Sequence, residues 1–259
     1  MFPPAVRLVL CLLLALPVAF VAAADLPDRD GRALAAAIEA ANARPGSAPI
    51  RLAAGGLYTF DGAAGTAALP TITGEVVIEG RGAEIRRYGK GPISLFEVAP
   101  GGRLTLRELT LAEGNLGAIR NHGTLILQRV QVVDCAGDGM RGVLVNFGTL
   151  LASDSLVAFN RVDGIGRDAG TLVNHGEMTL ARTRIEHNRI SRRWPAPAVA
   201  GAVLNRGLLR VEDLQLADNG IDDRHDGPAA EAILNLDGGR VVGQLAPGQL
   251  VEERQLVAR

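Results

Sequence analysis

Gly117-Ala-Ile-Arg-Asn121, Gly142-Val-Leu-Val-Asn146, Gly170-Thr-Leu-Val-Asn174, Gly201-Ala-Val-Leu-Asn205 and, degraded, Glu231-Ala-Ile-Leu-Asn235 are one phrase written five times. Two residues after each of the first four asparagines stands a glycine: Gly123, Gly148, Gly176 and Gly207. Two short alternating runs follow, such as Thr124-Leu-Ile-Leu-Gln128 and Val130-Gln-Val-Val133, and the unit closes at Cys135, Asn160, Asn188 or Asn219. Recurrence at this length is the signature of a stacked-repeat architecture. Within each run apolar residues take every second position, the period of a strand with one buried face, while glycine and asparagine punctuate the ends. The unit is therefore a coil of short strands and turns. Written one above another, its inward positions form columns: Ile119, Leu144, Leu172, Val203 and Ile233; Leu125, Leu150, Met178 and Leu209; Leu127, Ala152, Leu180 and Val211; Val132, Val157, Ile185 and Leu216. One coil alone cannot bury its face, and stacking on the next supplies the missing partner.

Asparagine tolerates left-handed backbone, and its amide satisfies turn groups. Asn121, Asn146, Asn174, Asn205 and Asn235 therefore read as a structural turn ladder, one bend repeated in every coil. Asn160, Asn188 and Asn219 read the same way, with Cys135 in their place in the first coil. The repeated Gly-x-x-x-Asn-x-Gly, the two strand-like runs and the closing asparagine resemble the right-handed parallel β-helix proteins of the pectin-lyase-like superfamily, especially polymorphic outer-membrane protein repeats. Where those repeats carry Phe-x-x-Asn, this chain has Ile, Leu or Val. The resemblance implies an all-β, single-stranded right-handed parallel β-helix, a solenoid, from near Arg32 to about Asn235.

The chain ends differ from the repeats. Residues 1–24 carry Arg7, an apolar core from Leu8 to Val21, and Ala22-Ala23-Ala24 before Asp25, the pattern of a cleaved signal peptide. The expected product is a single β-helix domain over 25–259, exported to the periplasm, the outer surface or the medium, with no transmembrane segment after cleavage. Of the two cysteines only Cys135 remains after cleavage, so the stack is expected to stand without an internal disulfide around a buried thiol. The formal charge of −1 offers no electrostatic case for nucleic acid. An alanine-rich amphipathic helix over 31–43, with Leu34, Ile38 and Ala41 on one face, is expected to cap the open N-terminal end of the stack. Thr66 to Thr73 reads as a surface loop. The clearest repeats fill 117–236, and 237–259 reads as a C-terminal cap.

All variation in repeat length falls between the closing residue of one unit and the glycine of the next. The inserts Ala136–Arg141, Arg161–Ala169, Arg189–Ala200 and Gly220–Ala230 thus leave the coil at one corner and gather on one face, where repeat proteins commonly bind. Arg161, Asp163, Arg167, Arg192, Arg193, Trp194 and Arg224 are the candidate ligand-binding residues there; Trp194, the only tryptophan, suits stacking on a sugar ring. Asp222, Asp223, His225 and Asp226 are weak catalytic candidates, since paired carboxylates serve glycosidic chemistry. They lack calcium-loop spacing, and no metal or cofactor is expected. His122 and His175 follow stacked asparagines and have no evident third ligand. Arg129 and Arg182 lie in the strand-to-strand bend, away from the inserts. The expected function is that of an exported envelope or surface protein, non-catalytic, binding glycan or a protein partner through the clustered loops. The alternative is a polysaccharide lyase or glycoside hydrolase acting from the same face. The columns themselves make a testable demand: Leu180→Asp places an unpaired charge inside a stack and should lower the thermal midpoint sharply, by roughly 3 kcal/mol or more in stability, whereas an unchanged midpoint would refute the register.

Overall fold

The computed structural model describes residues 25–44, 46–61, 67–89, 91–138, 142–164, 168–192, 198–223, 229–230, 232–236, 238–245 and 251–253. They form an all-β parallel solenoid with one helix among the described residues. The asparagine-bearing strands stack in one parallel sheet: Phe96–Val98, Ile119–Asn121, Leu144–Asn146, Ala169–Asn174, Val199–Asn205, Ile233–Asn235 and Val251–Glu253. The alternating runs stack in a second, from Glu75–Tyr88 through Arg103–Ala112, Thr124–Val133, the pairs Thr149–Ser153 with Leu156–Ala158 and Glu177–Ala181 with Arg184–Glu186, to Leu208–Ala217. The columns drawn from sequence are paired residues here: Leu125, Leu150, Met178 and Leu209 sit in direct register. All four are buried, as are the other columns, in one continuous apolar core.

Both asparagine ladders are buried hydrogen-bond chains. The Nδ2 of Asn121 donates to Oδ1 of Asn146 at 2.7 Å, Asn146 to Asn174 at 2.9 Å, Asn174 to Asn205 at 2.7 Å and Asn205 to Asn235 at 2.7 Å. Each amide also closes its own bend, as when Gly123 N–H donates to Asn121 Oδ1 and Asn146 Nδ2 donates to Gly148 O. In the second ladder Asn160 donates to Asn188 at 3.0 Å and Asn188 to Asn219 at 2.8 Å. Backbone N–H groups of Cys135, Asn160 and Asn188 donate to the carboxamide oxygen one coil on. Cys135 holds the first place: backbone amides of Gly114 and Glu113 point at its sulfur, and burial pushes its thiol up to about 12.

The asparagines form the turn ladder read from the sequence, and their bends use the side-chain amide and not left-handed backbone. Left-handed φ falls instead on two other columns, five residues apart in each coil: Glu108, Arg129, Asp154, Arg182 and Asp213, then Glu113, Asp134, Phe159, His187 and Asp218. The asparagines are needed for their paired donor and acceptor rather than for φ. The glycines that follow them are needed for space. A Cβ on Gly148 would lie 2.1 Å from Gly123 O, and one on Gly176 2.2 Å from Gly148 O. Those same carbonyls accept the next coil's N–H, from Thr149 and Glu177, at 2.9 Å.

The cap helix spans Gly31–Asn42, with Asp30 accepting from Ala33 N–H at 2.8 Å as its N-cap and Leu34, Ile38 and Ala41 buried on the first coils. Asn42 at its end accepts from Thr73 and Gly74 N–H, pinning helix to coil. The stretch read as a surface loop from Thr66 to Thr73 is largely part of the stack: Leu69 and Ile72 are buried, and Ile72 bridges Val98. Residues 1–24, read as a signal peptide, lie outside the described residues, as does most of 237–259, read as a cap, of which Arg240–Leu245 continues the second sheet by pairing with Leu208–Ala217. Among the described residues no helix is long and apolar enough to cross a membrane. Because the obstacle at Gly148 is backbone, Gly148→Ala should cost more than about 2 kcal/mol in denaturant unfolding, while Gly101→Ala, left-handed but facing open space, should cost about 1 kcal/mol. Equal costs would show that close approach is not what selects glycine.

Candidate functional site

The inserts begin in order. Ala136–Asp138, Arg161–Asp163, Arg189–Arg192 and Gly220–Asp223 pair in parallel as a short four-stranded sheet, so each insert opens as a strand before it departs. Asp138, Asp163, Ser191 and Asp222 are in register along its far edge. The departure points thus form one row on one side of the stack. Arg161 and Asp222 are exposed; Asp163 is half-buried, with its Oδ1 enclosed and without a partner among the described residues. Of Arg192 and Asp223 only the backbone is described, and Arg167, Arg193, Trp194, Arg224, His225 and Asp226 lie outside the described residues.

The described end of the third insert, Ala198 to Ala200, lies against the outer face of the asparagine-bearing sheet. There Val145, Val173, Leu204 and Leu234, each one residue before its asparagine, are buried against Ala198 and Ala200 in a second apolar cluster. The same position one coil earlier is Arg120, and one coil before that Glu97. The apolar cover stops here. A pocket of about 300 Å³ opens, lined by Ser94, Glu97, Leu116, Ile119, Arg120, His122 and Val145.

One wall of this pocket ends a stack of rings. His122, Phe147 and His175 occupy the single position between asparagine and glycine in three successive coils. Their centroids are 4.7 and 4.9 Å apart and their planes within 5° of parallel. The two histidines therefore do not face each other as ligands across a gap; Phe147 fills it. Arg120 Nε donates to His122 Nε2 at 3.0 Å, and its guanidinium lies 5.3 Å from the Phe147 centroid, a cation–π contact. Phe147 is 40% exposed. The column continues to Arg206, which pairs with Asp168, whose Oδ1 is enclosed and without a partner among the described residues. A ring edge, a guanidinium and a carboxylate around one small cavity can hold a sugar by stacking and by bonds to hydroxyls. Among the described residues Glu97 is the only carboxylate lining the cavity, so the two-carboxylate geometry of glycoside hydrolysis is not assembled there. The sequence signal for this site was Arg120 itself, where the column of Val145, Val173, Leu204 and Leu234 turns polar and stays so at Glu97.

The fold and site define a parallel β-solenoid protein with a ring-walled polar pocket on its insert-bearing side. No protein-family model matches the chain, and a search among curated proteins finds no match. Among solved structures, a mutant tailspike protein of E. coli bacteriophage HK620, in complex with a pentasaccharide, is 11% identical, with 88% of this chain covered and a TM-score of 0.22. This chain spans 61% of that tailspike's length. The inter-coil pairing, rather than this likeness, defines the fold.

His175, within the ring stack, has its pKa lowered, first by burial and then by the charge of Arg206. The unfolded chain therefore binds a proton before the folded one does. Stability is complete above the ordinary imidazole value of 6.5 and is lost as pH falls from there through the depressed folded-state value. Denaturant midpoints should fall between about pH 8 and about pH 5 less steeply in His175→Phe than in the parent chain; identical slopes would refute this origin.

Proposed function

We propose that this chain is an exported, non-catalytic solenoid that binds glycan on its insert-bearing side, with the Glu97, Arg120 and His122 pocket as the centre of the site. The observation that carries the reading is the ring stack ending at a polar cavity: His122, the terminal ring, lines the cavity together with Arg120 and Glu97. A ring at the end of its stack next to hydrogen-bonding groups suits a ligand that is apolar on one face and hydroxylated at its rim. The insert residues Arg161, Asp163, Arg167, Arg192, Arg193, Trp194 and Arg224 belong to the same reading as further candidate ligand-binding groups, supported by the gathering of the inserts that the sequence implies. Export is part of the reading, supported by the signal-peptide pattern of residues 1–24. The affinity with pectin-lyase-like proteins and polymorphic outer-membrane repeats belongs to it as well, supported by the repeated phrase.

The test is a glycan-array screen of the chain starting at Asp25, followed by titration of each hit. Arg120→Ala and Phe147→Ala should each weaken binding by roughly 1 to 3 kcal/mol without lowering the thermal midpoint by more than a few degrees. Neither reducing-sugar release nor unsaturated-product absorbance should accompany binding. Turnover abolished by Asp222→Asn or Asp223→Asn would establish the hydrolase or lyase alternative, and a screen without hits would remove the glycan reading.

A further inference from the structure

The strand-to-strand bend, on which Arg129 and Arg182 stand, carries a groove of its own. It encloses about 1010 Å³ and runs across successive coils, with Arg129, Asp154, Arg182 and Asp213 at the corner, Gln131, Leu156, Arg184 and Gln215 on the adjoining strands, and Gln244 at its end. Both sets are register columns: Leu156 pairs with Gln131 and Arg184, and Arg184 with Gln215. From the coil of Arg129 to that of Gln244 is four coil spacings, roughly 19 Å at about 4.8 Å each.

The corner column alternates in sign from coil to coil, Glu108, Arg129, Asp154, Arg182 and Asp213, and the signs are paired. Arg129 Nη2 donates to Glu108 at 2.7 Å, and Arg182 grips Asp154 through Nε at 2.7 Å and Nη2 at 3.1 Å. Arg182 also holds the Asp154 carboxyl below the usual carboxylate range. The groove wall is therefore dense in fixed donors and acceptors yet close to electrically neutral, with no field to collect a polyanion. One short strand beyond the groove, Phe159 stands on the second left-handed column, 58% exposed and stacked on His187 with centroids 5.0 Å apart. The left-handed backbone belongs to the whole column, but a phenyl ring left 58% exposed on that ridge is unfavourable for hydration, as expected where a ring plane serves recognition.

We propose that this groove binds a neutral, hydroxyl-rich oligosaccharide laid along the solenoid axis, separately from the ring-walled pocket; the proposal rests on the glycan-binding reading above. Amide, guanidinium and carboxylate side chains present paired hydrogen-bonding atoms in one plane, which match adjacent hydroxyls on a sugar ring. Their repetition once per coil suits a polymer of repeating units rather than a single small molecule. Phe159 would supply a plane for a sugar face at the rim.

The experiment measures affinity of the chain starting at Asp25 for neutral oligosaccharide series of increasing length, cello-oligosaccharides and malto-oligosaccharides among them, with oligogalacturonides as the acidic comparison. At least one neutral series should bind, with affinity rising with length until the groove is spanned. For that series Arg184→Ala, Gln215→Ala and Phe159→Ala should each weaken binding about fivefold or more, with Arg103→Ala as an exposed control that does not. Thermal midpoints of all four variants identify any loss that comes from unfolding, and Gln215→Ala, which removes no ion pair, carries the decision. Full affinity in Gln215→Ala and Arg184→Ala, together with loss in Arg120→Ala, would remove the groove and keep the pocket. Binding confined to oligogalacturonides would overturn the neutral assignment. No binding to any glycan would overturn both this inference and the reading on which it rests.

Discussion

In this stack every position of a coil packs against its own counterpart one coil away. Side chains are thereby selected for compatibility with copies of themselves. Aliphatic residues meet that condition by dispersion and burial alone. Asparagine meets it because one amide carries both donor and acceptor, so Asn121 through Asn235 chain together in one direction without an unsatisfied group between them. A column of aspartate would stack like charges at the same spacing. Where charges are used, at the exposed corner, they alternate in sign, from Glu108 through Asp213, and the pairing at Arg129 and Arg182 follows from that alternation. Glycine satisfies the condition in the limit, where the coils approach so closely that one carbonyl stands in the space a Cβ would need.

The same rule locates the places where chemistry is available. A column interior is committed to its neighbours, so groups left for a ligand arise where a column ends or changes character. The ring stack ends at His122, since the preceding turn is Ala99-Pro100-Gly101 with no ring to continue it. The outer apolar column changes at Arg120, and the pocket opens at the junction of these two interruptions. Cys135 is an interruption of another kind. It replaces the first asparagine of the second ladder, its sulfur receives the backbone amides, and its thiol is held protonated by burial. It is structural, not reactive.

Much of the fold could be read from the chain because the repeat writes its own register. Once the asparagines were aligned, the inward columns followed by counting, and they are the paired and buried residues of the structure. The cap helix was legible for the same reason, as a change of period. What escaped was information that lies down the columns rather than along the chain. Alternation of charge at the corner and the ring sequence His122, Phe147, His175 are invisible in linear order, since about thirty residues separate members that touch. The outer burial of Val145, Val173, Leu204 and Leu234 was hidden by a different assumption, that a strand in a coil has one wet face; the described end of the third insert lies against it. Left-handed backbone, which asparagine tolerates, falls instead on Glu, Arg, Asp, Phe and His, where the inter-coil pairing overrides residue preference. Of the candidate site residues, Asp163 and Asp222 share the row of departure points, Arg161 stands two residues earlier on the strand of Asp163, and most of the others fall in the inserts outside the described residues.

The constant separation of the two left-handed columns, five residues in each of the five coils from Glu108 to Asp218, makes that part of these coils a fixed frame, and their length varies at the insert corner. A coil defined this way is interchangeable. Duplicating an adjacent pair, from closing residue to closing residue, extends the amide chains, the glycine column and the core without a new packing problem and keeps the charge signs alternating. Molecular length is then an adjustable dimension, much as the number of rungs is for a ruler. Any surface made of one element per coil inherits the adjustment, so the number of units a lengthwise ligand presents can be matched by counting coils instead of by reshaping contacts.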